Sequence, residues 1–155
     1  MSELASIVSA AFVMEYRGRA GELHKWVAPL TDAQFWRNPY SYGNSVGHLF
    51  LHLTGNLSYC IGTRIAATGY IRNRDLEFTG AARPTKAEVL RRFDNTIAMV
   101  VTTAELQTES DWALPYSAER EPETKTRYVA FLRCSVHFYH HVGQIIYLCR
   151  ELAKS

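Results

Sequence analysis

Residues 137–144 read His137-Phe138-Tyr139-His140-His141-Val142-Gly143-Gln144. His137 and His141 are four apart, which on a helix stacks them on one face. A second pair with that spacing, His48 and His52, lies upstream, and five of the six histidines fall in these two segments. Histidine is an indifferent helix former and awkward to bury, so packing gives little reason for the clustering. One metal ion shared between two helices would give a reason. The other reading is a set of hydrogen-bonded core and surface histidines. Spacing alone does not choose between His48 and His52.

Working outward, the apolar periodicity on both sides of this stretch is helical. Ala130, Cys134, His137, His141, Gln144 and Leu148 form one line of a helix that starts at Thr124 or Thr126 and reaches about Leu152. Three more helices are expected upstream. The first runs from Leu4 to about Ala28, with Ile7, Ala11, Met14, Gly18, Gly21 or Glu22, and Trp26 as its buried stripe. Pro29 ends it, and Thr31-Asp32-Ala33-Gln34 has the form of a capping box before a single turn through Trp36. The second starts at Asn44 or Ser45 and continues to about Thr68, with Gly69 as its stop. Its inward face carries Leu49, His52, Leu53, Asn56, Tyr59, Cys60 and Thr63, and Gly47 and Gly55 would allow close approach. The third follows the capping box Thr85-Lys86-Ala87-Glu88 and carries Val89, Leu90, Phe93, Ile97, Val100 and Val101 to about Leu106.

Residues 70–83 form a polar link, longer than a helix hairpin needs, which implies a crossover between helices two and three. Four long amphipathic helices and no convincing strand make an all-α bundle. The 155 residues suit one domain, 1–155, and 47% hydrophobic content is ordinary for a globular chain. Net charge is +2 with both signs mixed, which argues against nucleic acid or an anionic membrane as partner. Arg72-Asn73-Arg74 reads as solvated surface. Residues 1–11 hold Glu3 and no basic residue, unlike a signal peptide, and no apolar run approaches a membrane span. Cys60, Cys134 and Cys149 are dispersed and odd in number, and read as buried thiols of a reducing cytoplasm.

Neutral imidazoles suit zinc, nickel, iron or copper, and suit magnesium or calcium poorly. Phe138 stands where a His-Glu-x-x-His protease would carry its base. The chain has no phosphate-binding glycine loop and no Gly-x-Ser-x-Gly. His24 is isolated and reads as structural or exposed.

Three groups of residues together resemble the DinB-like (DinB/YfiT-type) superfamily of metalloenzymes, within an uncharacterised branch. They are Asn44-Ser45-Val46 with His52-Leu53-Thr54-Gly55-Asn56, then Arg72-Asn73-Arg74-Asp75-Leu76-Glu77-Phe78, then His137-Phe138-Tyr139-His140-His141-Val142-Gly143-Gln144-Ile145. The resemblance implies a four-helix bundle, up-down-down-up, with the long crossover between helices two and three. It implies one divalent metal held by His52, His137 and His141, with His48 and His140 left outside. Zinc or nickel come first for that ion, then iron or manganese. It also implies a homodimer and, from relatives that use low-molecular-weight thiols, transfer of such a thiol to a small-molecule electrophile. A metal-dependent hydrolase of a small amide or ester is the alternative, and a non-catalytic metal- or ligand-binding bundle is the third reading. No carboxylate base is evident beside the three histidines. Gln144 would face a metal-bound water or a neighbouring helix, and the aromatics Trp36, Tyr40, Tyr42, Trp112 and Tyr116 would line a pocket mouth or a subunit interface.

Overall fold

The computed structural model describes residues 2–80 and 83–154, and these are all-α, with no strand. One isolated bridge, between Pro115 and Thr126, is the only extended pairing among the described residues. The helices are α1 (Glu3–Val27), α2 (Asp32–Trp36), α3 (Val46–Leu57), α4 (Leu76–Thr79), α5 (Lys86–Glu105), α6 (Glu109–Ala113) and α7 (Arg127–Leu152). A π-helical turn, Ser58–Thr63, extends α3. The four longest elements pack in pairs: α1 lies against α5 and α7, and α3 lies against the same two. The apolar side chains between them form a single cluster.

Local chemistry places the helix starts where polar caps stand. Thr31 and Gln34 form the reciprocal box that opens α2. Ser45 opens α3, its hydroxyl accepting from the His48 amide. Thr85 and Thr126 open α5 and α7. At α5 only half of the expected box forms: Thr85 caps Glu88, whose carboxylate instead pairs with Arg91 and Arg92.

Two expectations are corrected. The stripe of Ile7, Ala11, Met14 and Gly18 on α1 faces outward, with Ile7 59% and Met14 66% exposed. The buried line is Ala5, Ser9, Phe12, Tyr16, Ala20, Leu23 and Val27. Helix α1 carries two apolar lines, and the one holding the larger rings wins. Phe12 and Tyr16 reach Phe131 and Phe138 of α7, with ring centroids 5.4 Å (Phe12–Phe131) and 5.9 Å apart (Tyr16–Phe138), and the Tyr16 hydroxyl donates to the Phe131 carbonyl at 3.1 Å. The second helix also does not run on to Thr68. It widens at Ser58, with Arg64 donating to the Tyr59 carbonyl five residues back, and the chain then turns through Ala67 and Gly69 at positive φ.

Candidate metal centre

His52 lies two turns into α3, and His137 and His141 lie one turn apart in the middle of α7, where these two helices pack. The Nε2 atoms of His52 and His141 stand 3.1 and 3.0 Å from that of His137. His52 is buried and the other two are half-buried. The remaining histidines are elsewhere. His48 pairs through Nδ1 with the Ser45 hydroxyl at 2.8 Å, its ring against Trp36. His140 is exposed beside the His141 ring. His24 meets Asp94 at 2.6 Å on the surface.

The other ring nitrogens fix the tautomers. His52 Nδ1 donates to Glu77 Oε2 at 2.8 Å, and His141 Nδ1 donates to Gln144 Oε1 at 2.7 Å. Each bond leaves an Nε2 lone pair aimed at the shared point. His137 Nδ1 is buried with no hydrogen-bond partner among the described residues. Burial, reinforced by the neighbouring imidazoles, holds His137 down to about 3. Burial also brings His141 to about 4, against the bond from Gln144. Both rings are therefore neutral at pH 7, the form that binds metal.

The three Nε2 atoms crowd one point, and a cation there would accept a lone pair from each ring. Nitrogens about 2.05 Å from one ion are separated by about 2.9 Å on an octahedral face and about 3.3 Å in a tetrahedron. The observed 3.0 and 3.1 Å fall between these. The three residues thus lie close enough to hold a metal ion.

Sequence reasoning missed Glu77 and Arg72. The link after α3 folds back so that Arg72 grips Glu77 through both oxygens, Nε to Oε1 at 2.7 Å and Nη2 to Oε2 at 3.0 Å. Glu77 is buried and Arg72 half-buried against His52, which corrects the reading of Arg72 as solvated surface and puts a carboxylate beside the cluster. Burial alone would raise the Glu77 pKa, but the bonds from His52 and Arg72 outweigh it and hold the carboxyl below its usual range. Gly55 makes room: a Cβ there would stand 2.1 Å from Glu77 Oε1. Gly47 does the same for the Trp36 ring, at 2.5 Å. The one available signal was Glu77 within the Arg72–Phe78 segment that carried the resemblance.

A cavity of about 190 Å³ opens beside His52 and His137, walled by Asn56, Cys60, Cys134 and Tyr116 among others. Of the aromatics considered for a pocket mouth, only Tyr116 lines this space, its hydroxyl donating to the Cys60 carbonyl at 3.0 Å. Trp36 and Trp112 are core, and Tyr40 stacks on Tyr42 at the surface. The three cysteines are buried free thiols.

The family described as Protein of unknown function (DUF1572) matches residues 8–155, nearly the whole chain, and the chain belongs to that family. No curated protein matches it.

Proposed function

We propose that His52, His137 and His141 hold one divalent transition metal, zinc or nickel before iron or manganese, in a DinB-like four-helix bundle of up-down-down-up order. The observation that carries this is the convergence of three Nε2 atoms whose rings are turned to it by Glu77, Gln144 and packing. A bound ion would supply Lewis acidity, lowering the pKa of a thiol or water beside it. Glu77 keeps His52 in the ligating tautomer and adds negative charge behind it. Arg72 holds Glu77 ionised and fixed.

The reaction we favour is transfer of a low-molecular-weight thiol to a small electrophile. Glu77, the carboxylate in contact with the cluster, has both oxygens committed to Arg72 and His52, so it is poorly placed to deprotonate a water. A thiolate nucleophile needs no such base. The substrate is a small molecule, with neither nucleic acid nor membrane as partner; no helix of the described residues is long and apolar enough to cross a membrane.

We place the protein in the cytoplasm as a single 1–155 domain that forms a homodimer. The outward line of Leu4, Ile7 and Met14 on α1 supports a second copy at that face. Elemental analysis of purified wild type beside His52→Ala and His137→Ala tests the centre: bound metal in the wild type alone is expected, and equally little in all three would end the proposal. Assays pairing cytoplasmic thiols with model electrophiles follow. Ester or amide hydrolysis without thiol transfer would replace the transferase reading, and an inactive, coordinatively saturated metal would leave a binding bundle.

A further inference from the structure

Four arginines, Arg72, Arg74, Arg120 and Arg133, line the cavity beside the histidines, against two glutamates, Glu119 and Glu121. Two of the four are already matched. Arg72 grips Glu77, and Arg133 Nε lies 2.6 Å from Glu121 Oε2. Arg74 and Arg120 make no ion pair with a carboxylate among the described residues; Arg74 stands 5.4 Å from the Phe78 ring centroid. Both also line the adjoining groove that Tyr59, Thr63 and Tyr70 border, where Asp75 and Glu119 stand among them.

Arg120 has φ 65°, a left-handed backbone disfavoured for a side chain of its size. It lies in an exposed turn of the cavity wall. The cavity's 190 Å³ exceeds the ~150 Å³ that takes a benzene-sized guest.

We propose that this space binds a small organic carboxylate, with Arg74 and Arg120 gripping the carboxylate group of one of the two reactants. The guanidinium fork matches a carboxylate in two hydrogen bonds. The wall has neither the glycine-rich loop nor the helix N-terminus that cradles phosphate. The inference deepens the functional reading above and rests on taking this space as the reactant chamber of the histidine centre.

Calorimetric titration of succinate into chelator-treated protein tests the subsite apart from the metal. Saturable binding is expected for wild type and for His52→Ala. Arg74→Gln and Arg120→Gln each weaken it about tenfold, the size of one charge-assisted hydrogen bond. The neutral diamide, succinamide, does not bind. Absent saturation, an Arg74→Gln/Arg120→Gln protein of unchanged Tm that binds as wild type does, or tighter binding of inorganic phosphate would each overturn the assignment. Loss of the metal reading alone leaves the succinate result standing. With metal restored, mercaptosuccinate binding more tightly than succinate in a His52-dependent way assigns the carboxylate to the thiol. Equal binding of the two assigns it to the electrophile.

Discussion

Helix α7 makes two seams of opposite chemistry. Against α1 it is aromatic: Phe138 stacks on Tyr16 at 5.9 Å, Phe131 meets Phe12 at 5.4 Å, and the Tyr16 hydroxyl finds a carbonyl. Against α3 it is polar, with three imidazoles, Cys60 and Cys134 where side chains of that size could have packed as leucine. His137 and Phe138 are sequence neighbours, yet one serves each seam. The aromatic seam is closed by ring packing, whereas the imidazole seam brings three ring nitrogens to one point. The fold is held by the first, and the second is free to serve a ligand.

The sharpest way to break this contrast is to cut each seam separately. Phe138→Ala should cost about 3–5 kcal/mol in urea unfolding, as for a buried aromatic elsewhere; a loss under ~1 kcal/mol would mean that the aromatic seam does not hold the fold. In metal-free protein, His137→Leu should be neutral or stabilising, because it removes an unpartnered buried nitrogen. Adding zinc at a hundredfold excess over its Kd should then stabilise wild type by about 2.7 kcal/mol and leave His137→Leu unmoved, read as a Tm shift.

Next in size is the support behind His52. Glu77→Gln should weaken metal binding 10–100-fold by competition with a chelator, the usual range for such a partner. Gly55→Ala, a single methyl aimed at Glu77, should lower the affinity in the same direction. Metal affinity unchanged in both would separate Glu77 from the centre.

Smaller still is the effect of pH on metal-free protein. His137 at about 3 and His141 at about 4 lie below the ~6.5 of an unfolded histidine. The unfolded chain therefore binds more protons in that window, and stability falls as pH drops from about 6.5 toward 4, with no such slope above it. Glu77, also held low, acts in the same direction but only at more acid pH. Urea midpoints at successive pH values should show the slope in wild type and a smaller one in a His137→Leu/His141→Leu protein, where His48, also held low by burial, remains. Last comes His24→Ala, which removes an exposed pair with Asp94 and should change stability by no more than about 0.5 kcal/mol.

The residues of the imidazole seam were easier to read than those of the aromatic one. His137 and His141 share a face by spacing alone, and the motif after His52 separated it from His48. The caps at Thr31 and Thr85 were legible because capping is local chemistry, and those at Ser45 and Thr126 were each one of two candidates. The inward line of α1 was not, since Ser9 sits within it while Ile7 and Met14 make a more apolar line that faces out. Glu77 and Arg72 escaped because their link has no periodicity; what joins them to His52 is the path of the chain, with Gly55 leaving the space. The π-helical turn left no mark that spacing could reveal.

That turn, Ser58–Thr63, acts as a phase shifter. One residue more per turn rotates everything after it by roughly 100° relative to a continuous α-helix. Upstream, His52 keeps the register that faces α7. Within the turn, Cys60 lines the cavity and the Tyr59 hydroxyl accepts from the Glu119 amide, and just after it Arg64 donates to the Ser117 carbonyl. A single-residue deletion inside the turn would restore one register along the helix. His52 would keep its place on α3, while Cys60 and the link that carries Arg72 and Glu77 would shift, so the deletion should disturb the cavity wall and the support behind His52 together.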